Sequence, residues 1–433
     1  MNELGKLCKV FPGKTPAKAV YANSGDVKII KFRDVLENGE VDFYNEEMGW
    51  VNSAYDDISD LVELLSETIL LTNAAHSTEH IGKKVAYVDV IPKVAEKVCF
   101  VGELTGIRAK SESLSIKWLS YWLQTIDAKK EIARAIEGAH LIPRQFKRIK
   151  LPDFSIEEQN RQIAVLGKVD EAIAKARTEF DAKYTLKSSI LKQLLSIGLN
   201  SKYSDIIKTK FGHFSSAWEF KSIAEYCGTP ECVKTGPFGA QLPPESFAKQ
   251  GMRFVNITDI GDGRLDFSEE VYVKDSIAEK LKEYQLHGGD LVFSRVASVG
   301  RVAMIPETSS PMMMSSNCIR LRATQSFNSM FLMYLFTASN LVRRQVSAMA
   351  TGGSRPIVTP RFLRQILLPR PTMDEQNEIV KALSFIEEGI NSSVVMVEIL
   401  VNVKKSLLHN LLTGKIRLPP EAFDGDAGEM AKT

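Results

Sequence analysis

The sequence predicts an α+β fold in which two tandem, pseudo-repeated domains are separated by two long helices that form an antiparallel coiled coil. Three observations predict it. One segment recurs 217 residues later (151 to 368), a heptad pattern of apolar residues follows each copy, and short strand-like runs with turns precede each copy. A repeated unit that ends in a helix favours two copies of one domain over a single larger core.

Length and composition set the outer limits. At 433 residues the chain is expected to form two or three domains. Its hydrophobic content of 44% and charged content of 25% are typical of an ordinary globular protein. No apolar run approaches the roughly 20 residues that span a bilayer, and the amino terminus has no apolar core of the signal-peptide type. We therefore expect a cytoplasmic protein with no membrane partner.

Charge and cysteine usage narrow the function classes. The net charge of +2 argues against a protein that binds nucleic acid through charge alone, so any DNA contact must concentrate positive charge on certain faces. The cysteines are odd in number and contain no Cys-x-x-Cys pair, which argues against a disulfide framework or a zinc site and favours buried, reduced thiols. They are Cys8, Cys99, Cys227, Cys232 and Cys318.

The repeat holds its register without a gap over about fifty residues. LPDFSIEEQNRQI at 151–163 recurs as LPRPTMDEQNEIV at 368–380, and SSILKQLLS at 188–196 matches KSLLHNLLT at 405–413. Chance matches of short segments would not keep one register over this length. The predicted order is a first domain over 1–150, a first spacer helix over 151–200, a second domain over 201–367, a second spacer helix over 368–418 and a flexible tail over 419–433.

Within each domain, short strands are followed by one or two helices. KIIKFRDV at 28–35 and RFVNITDI at 253–260 have strand-like composition and lead into tight turns at Asn38-Gly39 and Asp262-Gly263. The predicted helices are IKWLSYWLQTI at 116–126 and MFLMYLFTAS at 330–339. An α+β domain follows from this order of elements.

Apolar positions after each repeated segment alternate by three and four residues, which is the spacing of a coiled-coil seam. Polar residues interrupt the pattern at Lys183, Lys187, Ser393 and Lys404. Two such narrow stripes bury each other best in an antiparallel pair; the alternative is that each helix lies on its own domain. The predicted seam positions are Leu166, Ile173, Phe180, Ile190 and Leu194 in the first helix, and Leu383, Ile390, Val397, Leu407 and Leu411 in the second.

Helix starts are predicted near Ser155 and Thr372, because each is followed three residues later by a glutamate, Glu158 or Glu375, at the spacing of a capping box. About 43 residues at roughly 1.5 Å each give a rod of about 65 Å. That length is on the order of two turns of B-DNA.

Basic and polar residues at strand ends and in glycine-rich loops are the candidate DNA contacts. Arg, Lys and Asn side chains hydrogen-bond base edges, whereas Ser hydroxyls and backbone amides hold phosphates. The candidates are Lys31, Arg33, Asn73, His76, His80, Lys83 and Lys84 in the first domain, and Arg253, Asn256, Arg295, Ser298, Arg301, Ser354 and Arg355 in the second.

Two other functions stay open. His76, Glu79 and His80 match a His-x-x-Glu-His zinc-protease pattern, which requires a helix that places both histidines on one face. A polar loop insertion is the simpler interpretation, because a strand–loop–strand occupies this place in the second copy. No methyltransferase, nuclease or dinucleotide-binding motif is evident. The other alternative is a coiled-coil adaptor that does not bind DNA.

The chain resembles the specificity (S) subunit of type I restriction–modification systems over nearly its whole length. The first copy departs from the pattern, since Gly138-Ala-His140 replaces the glycine-rich loop of the second. The matching features are the LPxxxxxEQ segments at 151 and 368, GPFGAQL at 236–242, RFVNITDI at 253–260, GDLVFSRVASVGRVAMI at 289–305, TGGSRPIV at 351–358 and the helix ending Leu-Leu-Thr-Gly-Lys415.

The resemblance implies a non-catalytic subunit whose two target-recognition domains each read half of a bipartite DNA site, with the helix pair as spacer. It implies two methyltransferase subunits as partners, which supply S-adenosylmethionine chemistry and act by base flipping, and a restriction subunit that can join them. The chain itself is expected to hold no cofactor and no metal. The candidate partner contacts at the helix starts are Glu157, Glu158, Gln159, Glu375 and Gln376.

Overall fold

A computed structural model describes residues 2–52, 60–74, 77–199, 205–209, 212–296, 300–349 and 357–419. The chain forms two compact units: unit 1 is Met1–Arg177 with Val395–Thr433, and unit 2 is Thr178–Val394. Both divisions fall inside long helices, Ile156–Leu194 and Met373–Leu412, here called the first and second long helix. Each unit combines sheets and helices, so the predicted α+β class is confirmed.

Unit 1 contains two four-stranded sheets. The first is antiparallel, with the spatial order Cys8–Pro12, Leu104–Ala109, Thr68–Thr72 and Val85–Val88. The second has the order Tyr21–Ala22, Gly49–Val51, Val27–Ile30 and Lys97–Phe100, and its last two strands are parallel. Two short antiparallel pairs are Asn2–Glu3 with Lys150–Leu151 and Ile136–Glu137 with His140–Leu141. The strand Val27–Ile30 is buried on both faces, and its one charged residue, Lys28, donates to Phe43 O (2.7 Å).

The apolar run predicted as one helix over 116–126 forms two helices. The first, Ile116–Leu123, buries nearly every side chain. It ends before Thr125, whose hydroxyl accepts a hydrogen bond from the N–H of Ala128 (3.1 Å) and caps the second helix. Among the described residues, the other short helices and 3₁₀ turns of unit 1 are Ile126–Arg134, Leu4–Leu7, Pro143–Phe146, Lys18–Val20, Phe32–Asp34 and Thr78–His80.

Unit 2 has a related set of strands. Its antiparallel sheet has the order Val233–Thr235, Cys318–Leu321, Leu291–Ser294 and Val302–Met304. A five-stranded sheet has the order Phe247–Ala248, Tyr272–Val273, Met252–Val255, Met312–Met314 and Gln285–Leu286. Short pairs are Ile206–Thr209 with Gly212–Ser215 and Glu219–Ser222 with Leu367–Arg370. As in unit 1, one strand pair of the second sheet is parallel, Met252–Val255 with Met312–Met314.

Helices of unit 2 cover the antiparallel sheet. Ser329–Ala338 is capped by Asn328, whose side chain accepts from the N–H groups of Met330 and Phe331, and it is buried over most of its length, as its apolar sequence predicts. The remaining helices and 3₁₀ turns are Ile223–Cys227, Asp275–Lys280, Asn340–Met349, Pro360–Gln365, Pro230–Cys232, Gly239–Gln241, Pro244–Ser246, Ile257–Asp259 and Lys282–Tyr284.

Tight turns follow the two equivalent strands, as predicted. Gly39 has φ +92° and Gly263 has φ +84°, in the left-handed region that glycine adopts without strain. Leu36 N–H donates to Glu40 O (2.9 Å) across the first turn, and Gly261 N–H donates to Arg264 O (2.9 Å) across the second.

The expectation that all five cysteines are reduced is wrong for one pair. Cys227 and Cys232 form a disulfide, because the turn between Ile223–Cys227 and Pro230–Cys232 brings their Cα atoms to 6.1 Å. Cys8, Cys99 and Cys318 are free and buried as expected. Burial raises the pKa of Cys8 to about 12 and those of Cys99 and Cys318 to about 11, so these thiols are unreactive near neutral pH.

The long helices pack against each other as an antiparallel coiled coil, as predicted. In unit 1 the Gln162 side chain donates to Leu411 O (3.1 Å), and in unit 2 Lys183 donates to the Ser393 hydroxyl (3.0 Å). Residue numbers rise along one helix as they fall along the other. Leu166, Ile173, Leu194, Leu383, Ile390 and Leu411 are buried, whereas Phe180, Ile190, Val397 and Leu407 are half-buried.

Both predicted helix starts are confirmed. Ser155 Oγ and Thr372 Oγ1 accept from the N–H groups three residues on, each at 3.3 Å. The glutamates of the expected capping boxes have other partners. Glu158 pairs with Arg417 (2.9 Å), and Glu375 accepts from the indole of Trp218 (3.2 Å). Within the described part of the chain, no helix has the length and apolarity needed to cross a bilayer.

Candidate nucleic-acid interface

In each unit a strand ends in a turn that is closed by an aspartate, and a polar residue lies between the strand and the turn. In unit 1, Lys31 follows the buried strand Val27–Ile30, and its N–H donates to the carboxylate of Asp34 (2.8 Å). In unit 2, Asn256 follows Met252–Val255 and donates in the same way to Asp259 (2.8 Å). Both aspartates are buried, so they fix the turn while the residue before it faces outward. The sequence repeat therefore extends to the candidate DNA contacts.

An open cleft in unit 1 brings together two of the candidate DNA contacts, Lys31 and Arg33. Its volume is about 720 Å³. It is lined by Thr15, Lys18, Tyr21, Lys31, Phe32, Arg33, Val101 and Glu103. Three cations face two aromatic rings and one carboxylate, a combination that suits a polyanion with stacked planar groups. We call this set the unit 1 cleft.

Cation–aromatic contacts order the cleft. Lys31 Nζ lies 4.7 Å from the centroid of the Tyr21 ring. Lys84 Nζ lies 4.3 Å from the Phe32 ring and donates to the carbonyl of Phe32 (3.1 Å). Partial burial lowers the pKa of Lys84. Lys84 thus stabilises the turn at Phe32 and does not line the cleft, whereas Lys31 does.

Three other candidates of unit 1 have partners inside the unit. Arg33 pairs with Glu47 (2.5 Å) and Lys83 with Glu37 (2.9 Å). The hydrogen bond to Glu37 raises the pKa of Lys83. Asn73 donates its side-chain amide to Thr105 Oγ1 (2.8 Å). Each of these residues would have to exchange a present contact for one to DNA.

The corresponding cleft of unit 2 is less basic. It has a volume of about 480 Å³ and is lined by Phe247, Phe254, Asn256, Thr258, Asp259, Ser268, Glu269 and Val271. Arg253 lies on its strand nearby, with its guanidinium 4.2 Å from the Phe267 ring and bonded to Tyr272 Oη (3.3 Å). Its side chain therefore packs within the unit.

The remaining candidates of unit 2 lie on or beside the strand pair Leu291–Ser294 and Val302–Met304. Arg295 is partly buried, and its backbone bonds to Asn317 O (2.9 Å) and Val358 N–H (3.0 Å). Arg301 is exposed and its guanidinium lies 3.5 Å from Ile260 O. His76 of unit 1 and Ser298, Ser354 and Arg355 of unit 2 lie outside the described residues.

The zinc-protease alternative lacks the helix it requires. Thr78–His80 forms a single 3₁₀ turn, and Glu79 lies 3.6 Å from the ring of its neighbour His80. A zinc site of this class needs two histidines on one face of an α-helix. Among the described residues, which leave out His76, no group of three or more His, Cys, Asp or Glu side chains could hold a metal ion.

The glutamines at the two helix starts are buried within their own units. Gln159 accepts from Ser115 N–H (2.9 Å) and donates to Ser113 O and Phe154 O (both 3.0 Å). Gln376 accepts from Asn328 N–H (2.9 Å) and donates to Ser326 O (3.1 Å) and Pro371 O (3.0 Å).

Each glutamine therefore fastens a long helix to the loop before a buried helix of the same unit, Ile116–Leu123 or Ser329–Ala338. Glu157 is exposed, and a hydrogen bond with Ser155 lowers its pKa. Of the predicted partner contacts at the first helix start, Glu157 has the side chain most open to a partner.

Sequence reasoning missed six lining residues of the unit 1 cleft: Thr15, Lys18, Tyr21, Phe32, Val101 and Glu103. They come from segments far apart in the chain, which only the folded sheet brings together. Phe32 alone had a signal, since it stands between the two predicted contacts Lys31 and Arg33.

Comparisons with known proteins point in one direction. The family model for the "Type I restriction modification DNA specificity domain" matches residues 218–393. The chain is 21% identical over 284 residues to the type I restriction enzyme MjaVIII specificity subunit of Methanocaldococcus jannaschii, covering 64% of this chain and 65% of that subunit, just under two thirds of its length. It is 23% identical over 353 residues to the putative MjaX specificity subunit of the same organism, covering 81% and 78%.

The fold has a counterpart among solved structures. A chain from a study of complex assembly and conformational transition of the type I restriction–modification system aligns with a TM-score of 0.57 and 13% identity, covering 96% of this chain and 97% of that one. At this identity the likeness concerns the fold alone.

Proposed function

The chain belongs to the specificity subunits of type I restriction–modification systems, and on that premise we propose that it reads a bipartite DNA site for such a complex. Each recognition domain reads one half of the site, and the helix pair sets the spacing between the halves. The chain contributes recognition and no catalytic step. A cytoplasmic location, where chromosomal DNA is present, belongs to the same proposal.

The observation that supports this function most directly is the unit 1 cleft. Its three cations, Lys18, Lys31 and Arg33, border an open surface that Tyr21 and Phe32 also line. Cations of this kind neutralise backbone phosphates, and Lys or Arg side chains that enter the major groove discriminate base edges. This local excess of cations over carboxylates in the cleft lining, on a nearly neutral chain, supports the proposal.

Selection from a random duplex pool tests the proposal, with and without a methyltransferase partner. We expect the retained DNA to contain two short motifs separated by a constant gap. A single uninterrupted motif, or retention without any motif, would contradict the bipartite reading. Assembly with the partner but no retention of DNA would favour the coiled-coil adaptor.

Two methyltransferase subunits are proposed to dock on the chain and to supply S-adenosylmethionine chemistry, and a restriction subunit can join them. An apolar surface on the second long helix supports docking. Ile399 follows Val395 and Met396 by four and three residues, and Val403 follows Ile399 by four, so all four lie on one side of the helix. They are 42–53% exposed. Contiguous apolar surface of this kind is typical of a protein contact.

Substitution of Ile399 by Glu tests this docking surface. We expect the variant to lose co-purification with the methyltransferase, because the charge would be buried in the contact. Glu398→Gln, a change at the exposed neighbouring position, is the matched control and should leave assembly intact. If Ile399→Glu assembles as well as the control does, this surface is not where the methyltransferase docks.

A further inference from the structure

A polar cluster in unit 1 joins three separate segments: Tyr121 of a recognition-domain helix, Asp170 of the first long helix and Lys404 of the second. Lys404 Nζ lies 2.6 Å from Asp170 Oδ1, and Tyr121 donates its hydroxyl to Asp170 Oδ2 (2.8 Å). The Lys404 ammonium also lies 5.5 Å from the Tyr121 ring centroid. Tyr121 is 6% exposed and the Lys404 side chain 14%, so both are largely withdrawn from water.

Unit 2 contains the same arrangement. Lys187 Nζ lies 2.7 Å from Glu387 Oε1, and the hydroxyl of Tyr334 donates to Glu387 Oε2 (3.0 Å). Here the lysine belongs to the first long helix and the carboxylate to the second. In both clusters one carboxylate oxygen binds the opposite helix and the other binds the recognition domain.

The two clusters are related by the repeat, with the roles of the helices exchanged. Asp170 and Glu387 are 217 residues apart, and so are Lys187 and Lys404. Both lysines interrupt the apolar heptad pattern, where a leucine would add more burial. A polar residue retained twice at equivalent seam positions indicates a role other than stability.

We propose that these two polar clusters fix the register of the antiparallel helix pair and, through their tyrosines, the position of each recognition domain on it. The apolar seam alone allows a slip of one heptad, because apolar residues would again meet. Such a slip moves one helix along the other by about 10 Å.

The sequence shows why the clusters oppose that slip. In the two slipped registers Lys404 would face Ile163 or Arg177 in place of Asp170. Lys187 would face Val380 or Val394 in place of Glu387. Each slip therefore leaves both lysines without a carboxylate, and buried polar groups without partners are strongly disfavoured.

Spin-label distances test the register without DNA. Labels are attached to cysteines introduced at Lys130 and Asn402, exposed positions of a recognition-domain helix and the second long helix, both in unit 1. With the natural residues we expect one distance. In Asp170→Leu/Lys404→Met, which keeps the seam apolar, we expect a second population displaced by up to about 10 Å.

The matched control is Glu171→Leu/Lys405→Met, which changes an exposed carboxylate and an exposed lysine one position along each helix. It should keep the single distance. If the cluster variant keeps it, and Asp170→Leu/Lys187→Met/Glu387→Leu/Lys404→Met, which removes both clusters, keeps it as well, the register does not depend on the polar clusters and the proposal fails. If that variant does not fold, Asp170→Asn is measured in its place with the same two outcomes.

The consequence for DNA rests on the proposed function and is measured separately. When the gap between half-sites is randomised, the Asp170→Leu/Lys404→Met variant should accept more than one gap length, whereas the control accepts one. A displaced label distance with a constant gap would contradict the link to DNA spacing. Failure of both proteins to select any bipartite site would contradict the proposed function and leave the register result standing.

Discussion

Two buried glutamines show how single residues join a long helix to its recognition domain. Gln159 and Gln376 occupy equivalent places in the repeat, and each makes three hydrogen bonds to backbone groups of the preceding loops. A glutamine side chain has both a donor and an acceptor, so it can satisfy loop N–H and C=O groups that the helix leaves unpaired. Neither apolar nor charged residues of similar size could do this.

Substitution of Gln376 by Leu should lower the free energy of unfolding by about 3 kcal/mol. The leucine fits the volume but removes the hydrogen bonds to Asn328 N–H, Ser326 O and Pro371 O, and each buried group left without a partner costs roughly 1–3 kcal/mol. Chemical denaturation followed by circular dichroism measures the change. Glu378→Gln, on the exposed side of the same turn, should have little effect. Equal stability of the two variants would show that the Gln376 bonds contribute nothing.

These glutamines also show what sequence could and could not predict at this scale. The repeated Glu-Gln pair indicates that these positions matter. A polar pair in the first turn of a helix predicts an exposed contact with a partner, whereas the glutamines are buried. Their burial depends on loops more than 40 residues away, such as Ser113 to Ser115. In the unit 1 cleft, Lys31 was predictable from its strand end, whereas Lys18 and Tyr21 were not.

The long helices derive their stability from how completely each seam residue is covered. Leu383 is fully buried in the main core cluster of unit 2, where it packs with recognition-domain residues. Phe180 and Val397 are half-buried and belong to no core cluster among the described residues. Identical heptad positions therefore contribute unequal amounts to stability.

Alanine substitutions at these positions measure that difference. Leu383→Ala should lower the free energy of unfolding by about 2–5 kcal/mol, because it leaves a cavity in a closed core. Val397→Ala should lower it by only about 1 kcal/mol, since it removes half-exposed methyl groups at about 0.8 kcal/mol per buried CH₂. Denaturant titrations of both variants supply the comparison. If Val397→Ala lowers the free energy of unfolding as much as Leu383→Ala does, burial of the seam residue does not determine its contribution to stability.

Long helices could be predicted from the sequence, whereas very short strands could not. The heptad pattern runs over nearly forty residues in each long helix, so many positions report one period. Strands such as Tyr21–Ala22 and Phe247–Ala248 have two residues and no period to detect. The sequence predicts one unbroken helix over 116–126 because its apolar run is continuous. In the structure the cap at Thr125 divides this run into two helices.

At the scale of the whole molecule, the duplicated sequence has a consistent structural meaning. Each unit carries its own sheets and short helices together with part of each long helix. The equivalent turns at Lys31 and Asn256, the glutamines and the polar clusters all recur with the repeat. The chain therefore has two related surfaces with different side chains, as two different half-sites would require.

The most direct test of this account compares DNA selected by two variants in the assembled complex. Lys18→Ala/Lys31→Ala removes two cations of the unit 1 cleft, and Lys129→Ala/Lys130→Ala removes two exposed cations outside it. We predict that the first variant loses base preference in one half-site, while the other half-site and the gap stay unchanged and the second variant behaves as the natural chain. Loss of both half-sites together, or no change in either, would contradict the account.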